Sequence, residues 1–305
     1  MEDYELLRLS TTREVIDMKK TKEGNPSTQA AYLYGGIDYD TSLQTSPQIE
    51  SSGTSIQRDI SIRYHHAFID SLRLRSASVG FDGLPGTKKE VEAIKRLLDD
   101  KSLSSTLRTG AEATETSVKD IDGQAPRILH IATHGFFFSE NQVRSLDMLR
   151  FISKDESQSW ADLEDKALTR SGLLMAGANG VLLGEDLPME MDDGILTAQE
   201  ISRLDLRGLD LVVLSACKTG NGEVSGDGVF GLQRAFKKAG AQTIVMSLSE
   251  VQDEATQILM TSFYDNLLQG LSKREAFHRA QRYLCSVENG KYDHPKYWAV
   301  FVLID

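Results

Sequence analysis

Two side chains in this sequence have the chemistry of a nucleophile and its base, His134 and Cys217. Each follows a short apolar run suited to a buried strand, Arg127-Ile128-Leu129-His130-Ile131-Ala132 before the histidine and Leu211-Val212-Val213-Leu214 before the cysteine. Each run then gives way to small residues and glycines, Thr133-His134-Gly135 in one case and Ser215-Ala216-Cys217-Lys218-Thr219-Gly220 in the other. Ligands of open parallel sheets meet the protein at the carboxyl ends of strands. Taken alone, Cys217 admits two readings: a nucleophile, or a small buried hydrophobe of the kind free cysteines often are. If the two strands are neighbours, both side chains emerge on one edge, where an imidazole can take the thiol proton and leave the stronger thiolate nucleophile. Gly135 would let the backbone approach a substrate, and its N–H, with that of Cys217, could hold a developing oxyanion.

The elements that must position these groups alternate between strand and helix patterns. Strands are expected at Ala31–Ile37, Leu103–Thr109, Arg127–Ala132, Leu211–Leu214, Thr243–Ser247 and Tyr297–Ile304, with a further strand running into a turn over Ser171–Asn179. A helix is expected from Thr87, with Thr87 and Glu90 at capping-box spacing and a stripe of Val91, Ile94, Leu97 and Leu98. Further helices are expected over 196–204 with Thr197 as cap, from Val229 to Ala239, over Asp253–Leu268, and from Ser272 to about Val287. Such alternation implies right-handed crossovers and a mostly parallel sheet with helices on both faces, an α/β fold. No repeat and no clear linker divides the chain, so it reads as one domain over residues 1–305, with residues 1–30 as an N-terminal extension.

Bulk composition narrows the function classes. Net charge is −11 from 34 basic and 45 acidic residues, which argues against nucleic acid as a partner and is compatible with basic peptides. No apolar run reaches the length of a membrane span, and the acidic start lacks the layout of a secretion signal. Two cysteines, Cys217 and Cys285, make no disulfide framework, so a reducing cytoplasm is expected. His130 and His134 are four apart, yet no carboxylate or cysteine cluster completes a metal site, and His130 reads as a core histidine. The loop at 220–228 lacks the Gly-Lys-Ser/Thr ending of a phosphate loop. No metal or cofactor is expected. Glu185–Asp193 reads as a solvated acidic loop.

The ordered motifs resemble one family. They are His130-Ile131-Ala132-Thr133-His134-Gly135, Ser171-Gly172-Leu173 with Ala176-Gly177-Ala178-Asn179, Asp193-Gly194-Ile195-Leu196-Thr197-Ala198, and Val213-Leu214-Ser215-Ala216-Cys217-Lys218-Thr219-Gly220. The pattern continues through Gly228-Val229-Phe230-Gly231-Leu232, Asp253-Glu254-Ala255-Thr256 and His294-Pro295-Lys296-Tyr297-Trp298. Together they resemble the CHAT domain, a caspase- and separase-like cysteine peptidase domain often found behind TPR repeats in bacteria. The resemblance implies a caspase-like three-layer α/β/α sandwich, a His134–Cys217 dyad and cleavage of a peptide bond in a protein or peptide substrate. It also implies that Asp253 lines the primary specificity pocket, where a carboxylate would select arginine or lysine by a charge-assisted pair. On residue type alone Asp253 also reads as a helix N-cap.

Two positions depart from the family pattern. Lys218 stands where glutamate is usual, and Ser249 where tryptophan is frequent, near the expected pocket wall. Both bear on specificity. Two rival readings share the fold: a catalytically silent regulatory or scaffold module, and a thiol acyl transferase acting on a small amide. A cytoplasmic endopeptidase is hazardous when unregulated, so a latent form is expected, switched by a TPR-containing or other regulatory partner or by cleavage in the loops 40–59 or 139–168.

Overall fold

The fold is taken from a computed structural model, which describes residues 31–42, 80–137, 168, 171–185, 187, 191–215, 226–249 and 252–305. In chain order the elements are β1 (Ala31–Ile37), α1 (Pro85–Asp100), β2 (Ser105–Gly110), α2 (Glu115–Lys119), β3 (Ile128–Ile131), β4 (Gly135–Phe137), β5 (Ser171–Leu174), α3 (Ala178–Leu182), β6 (Ile195–Thr197) and α4 (Ala198–Ile201). There follow β7 (Leu211–Leu214), α5 (Gly226–Ala239), β8 (Thr243–Ser247), α6 (Asp253–Leu268), α7 (Lys273–Ser286), α8 (Pro295–Trp298) and β9 (Phe301–Ile304).

Six strands form the central sheet in the order β2-β1-β3-β7-β8-β9. All pairings are parallel except β8–β9, so this is the mostly parallel α/β sheet expected. Alternate residues face opposite layers. Leu129, Ile131, Val212 and Leu214 join α2, α3, α4 and α5 in one apolar layer. Leu33, Leu211, Val213 and Val245 join α1, α6 and α7 in the other. The four residues of β7 are all buried, which accounts for their unbroken run of branched apolar side chains. Each contributes roughly 1.5–3 kcal/mol on burial. The chain therefore adopts the caspase-like arrangement of a central sheet between helical layers.

The strand order reverses between β1 and β3, because the chain runs from β1 outward to β2 and then returns to β1's other side. That reversal opens a crevice at the carboxyl ends of the two strands.

Several local expectations change. Residues 135–137, 171–174 and 195–197 build a separate antiparallel sheet, β4-β5-β6, and β5 does not join the central one. Strands of three or four residues carry too little periodicity to reveal which sheet they enter. Helix α1 begins two residues before Thr87, because Pro85 presets its first turn. Thr87 Oγ1 instead receives the Gly36 N–H at 2.8 Å, and Glu90 turns inward to His130. Leu196 belongs to β6, and Thr197 closes a reciprocal capping box with Glu200 at the start of α4. Tyr297 and Trp298 lie in α8, not in the last strand. The helices expected over Asp253–Leu268 and after Ser272 stand as expected.

The acidic stretch ending at Asp193 is not simply solvated. Lys119 Nζ meets Glu115 at 2.6 Å and Asp192 and Glu200 at 2.8 Å each. Glu115 also receives the Gly194 N–H at 2.9 Å. One lysine thus ties α2, the segment before β6 and α4 together. Burial works against its ammonium, yet the pull of Glu115, Glu200 and Asp192 outweighs that and lifts Lys119 above lysine's usual range. Burial, then the charge of Glu200, pushes Glu115 well above the usual carboxylate range, with Lys119 opposing.

Residues 1–30 and the expected switching loops beyond Ser42 and from Ser139 to Ala167 lie outside the described residues.

Candidate active site

His134 sits where the chain leaves the central sheet for the small one, between β3 and β4. The crossing is held by backbone bonds: Ala132 N–H to Tyr34 O at 2.8 Å, Ser215 N–H to Ile131 O at 3.2 Å and Leu174 N–H to His134 O at 2.9 Å. Thr133 Oγ1 donates to the Leu174 carbonyl. Its hydroxyl proton being committed, Thr133 accepts the Tyr39 O–H at 2.8 Å, and Tyr39 Oη in turn accepts the His134 N–H at 3.3 Å. Burial, the dominant effect, raises the Tyr39 phenol above its ordinary range and keeps it a donor.

The imidazole is only 1% exposed. It packs between Tyr39 and Phe81, with ring centroids at 5.2 and 5.1 Å. Its Nε2 lies 2.8 Å from the carbonyl oxygen of Asp82. A carbonyl can only accept, so Nε2 carries the proton and Nδ1 is the basic nitrogen of the neutral ring. A backbone oxygen thereby sets the tautomer of the candidate base.

The partner strand is β7. Ile131 pairs with Leu214 in the β3–β7 register, and His134 and Cys217 each follow their paired residue by three positions. The adjacency on which the dyad reading depends is therefore present. Cys217, Lys218 and the glycine-rich loop to Ser225 lie outside the described residues.

Gly135 opens β4, opposite Leu173. Because His134 and Leu174 form a hydrogen-bonded position, Gly135 falls at the alternate position, with its N–H turned away from β5. Ser249 is half-buried two residues past the end of β8, the strand beside β7.

Asp253 is the first residue of α6 and is exposed. The N-cap is Gln252, so Asp253 does not serve as the cap that its residue type suggested. Its side chain lies over Gly86 in the first turn of α1; a β-carbon there would meet Asp253 Cβ and Cγ at 2.5 Å. Two helix N-termini, those of α1 and α6, thus meet at this side chain. Gly86 is four residues beyond Asp82, the partner of His134, so α1 and the loop before it link the candidate base to the candidate pocket residue. Asp38, Asp40 and Asp82 are also exposed along this edge.

The sequence left Tyr39, Phe81, Asp82 and Asn179 without roles. The strand-end rule that flagged His134 applies equally to Asp38-Tyr39-Asp40 after β1, and would have found Tyr39. Nothing local marks the Asp82 carbonyl.

Among the described residues, no group of three or more His, Cys, Asp and Glu is arranged to hold a metal ion. No described helix is long and apolar enough to cross a membrane.

The CHAT domain pattern matches residues 2–305. The chain belongs to the CHAT-domain family. This family is one of caspase-like cysteine peptidases, and the described sheet fits it. Two relatives are both called tetratricopeptide repeat protein 28. The human protein is 27% identical over 267 residues, 86% of this chain and 10% of its own length. The mouse protein is 39% identical over 111 residues, 36% of this chain and 4% of its own length. The aligned regions are thus small parts of these relatives.

Proposed function

We propose that this CHAT domain is a cysteine endopeptidase working through a His134–Cys217 dyad, and that it cleaves a protein partner after arginine or lysine. The observation that carries the proposal is the β3–β7 register, in which both residues follow paired positions on adjacent strands by equal steps. The Asp82 carbonyl supports it, since it makes Nδ1 the proton acceptor. In the proposed reaction His134 takes the Cys217 thiol proton and the thiolate attacks the scissile carbonyl. The N–H groups of Gly135 and Cys217 hold the oxyanion. His134 returns its proton to the leaving amine, and water, deprotonated by His134, releases the acyl group and regenerates the thiol.

Asp253 is the proposed floor of a pocket for a basic side chain, with Ser249 on its wall and Lys218 beside the nucleophile as modulators. The exposed Asp38, Asp40 and Asp82 favour approach of a positively charged segment. The proposed setting is cytoplasmic. Activity is latent until a regulatory partner or an attached repeat array engages the domain, a reading suggested by the names of the relatives.

The experiment is proteome-wide mapping of new protein N-termini, wild type against Cys217→Ala. The expected result is a small set of cleavages preceded by arginine or lysine that vanishes in the variant. An identical set in both would sink the peptidase reading. A folded protein with no such cleavages, whose Cys217 ignores an arginyl electrophilic probe, would instead support the silent regulatory module.

A further inference from the structure

We infer that Asn179 is a positioning residue for His134: its side-chain amide clamps the Gly80–Asp82 loop, and so holds the carbonyl that sets the imidazole tautomer. This inference rests on the peptidase reading for its purpose, but not for its geometry.

Asn179 lies in the short helix α3, 98 positions from Phe81 in sequence, and is 3% exposed. Its amide acts as a peptide mimic toward Phe81. Oδ1 accepts the Phe81 N–H at 2.8 Å, while Nδ2 donates to the Phe81 carbonyl at 3.0 Å. The second Nδ2 hydrogen goes to Asp40 Oδ1 at 2.7 Å. Both donors are thus used, and a flipped amide would set its oxygen against a carboxylate and a carbonyl, so the orientation is fixed. The backbone adds two ties to the end of β1, Asn179 N–H to Tyr39 O at 2.9 Å and Gly177 N–H to Asp38 O at 3.1 Å.

These contacts converge on His134. Tyr39 and Phe81 flank its ring, and Asp82, which follows Phe81 directly, accepts from Nε2. The Asn179 side chain thus holds Phe81 directly and Asp82 through it, while the Asn179 backbone N–H holds Tyr39. Gly80 completes the arrangement: it has φ +72°, and a β-carbon there would come within 2.9 Å of Asn179 Cγ. No other side chain of similar size supplies one acceptor and two donors in this geometry. Aspartate would keep the bond from Phe81 N–H but face Asp40 and the Phe81 carbonyl with lone pairs.

The test is a comparison of the 305-residue chain with Asn179→Asp, both carrying Cys217→Ala and ¹⁵N-labelled, by two-bond nitrogen–proton correlation of the histidine rings. His134→Gln assigns the signal. In the parent, His134 should show one tautomer, protonated on Nε2. In Asn179→Asp it should show a mixture, while His130 keeps its parent pattern and reports an intact core. With Cys217 restored, alkylation of the thiol by iodoacetamide should slow by tenfold or more. A folded Asn179→Asp protein whose His134 keeps the single Nε2–H tautomer would overturn the inference. If that variant does not fold, Asp40→Ala, at an exposed position, removes one of the three bonds. A minor Nδ1–H population should then appear, and its complete absence would overturn the inference. The ring spectra decide the role of Asn179 even if Cys217 proves unreactive, which would count against the peptidase reading alone.

Discussion

His130 and His134 stand four residues apart on the same strand and its extension, and both are almost wholly buried. Their partners differ in kind. His130 lies in the layer under α1 and α6, with Nε2 at 3.0 Å from Glu90 and Nδ1 at 3.1 Å from the Tyr264 hydroxyl. Both ring nitrogens lie against side chains that the core itself encloses. Burial, helped by the charge of Glu90, holds the Tyr264 phenol well above its usual range, so it remains a hydrogen-bond donor. His134 is held at the carboxyl end of β3 by a loop carbonyl and two aromatic rings, and the carbonyl fixes its tautomer with the proton on Nε2. Burial alone does not distinguish these two histidines. What separates them is that His130 is enclosed by core side chains, whereas His134 sits at a strand end with one nitrogen held by a loop carbonyl.

That contrast can be broken most directly at His134 itself. His134→Ala should lower cleavage per folded molecule by about 10²–10⁴-fold, the usual contribution of a positioned general base, with a smaller stability loss than His130→Ala. A large stability loss with modest loss of rate would reverse the contrast. His130→Ala should do the opposite. It leaves the Glu90 carboxylate buried without its partner and should cost about 3–5 kcal/mol in chemical denaturation, while cleavage per folded molecule stays within a few-fold.

The Lys119 cluster tests whether closed charge networks on the other layer behave like His130. A lysine raised in the fold contributes stability that is fully present below its ordinary value of 10.5 and is lost only as pH rises through the higher folded value. A raised carboxyl such as Glu115 favours the fold at low pH and works against it once ionised. Lys119→Met should therefore cost about 2 kcal/mol at pH 8, and less at pH 5, where the stranded carboxyls take up protons. Equal losses at both pH values would show that the cluster is not electrostatically coupled. The smallest effect is expected at Asp253, on the exposed edge. Asp253→Asn should reduce the preference for arginine over a neutral side chain about tenfold, measured with paired peptide substrates, and leave stability nearly unchanged. An unaltered preference would remove Asp253 from the specificity site.

Much of this fold was legible from local pattern. The runs at Ala31–Ile37, Leu211–Leu214 and Thr243–Ser247 read as strands because apolar and β-branched or aromatic residues dominate them. The stripe from Val91 to Leu98 read as a helix because its spacing puts one face in the core. Where two local signals competed, the sequence misled. Thr87 and Glu90 have capping spacing, but Pro85 starts the helix earlier and Glu90 finds a deeper partner in His130.

By itself, then, the sequence determined which segments are buried strands and helices, and that His134 and Cys217 follow strands of that kind. Those features are encoded within a few residues, by periodicity of two or near 3.6 and by glycines at strand ends. Only the tertiary structure decided that β3 and β7 are neighbours, that β4, β5 and β6 form their own sheet, and that the Asp82 carbonyl and the Asn179 amide reach the candidate base. The bonds concerned join residues 52, 98 and 139 positions apart. Such partners meet because the strand order brings the ends of β1 and β3 to one crevice, and no local run of residues carries that information.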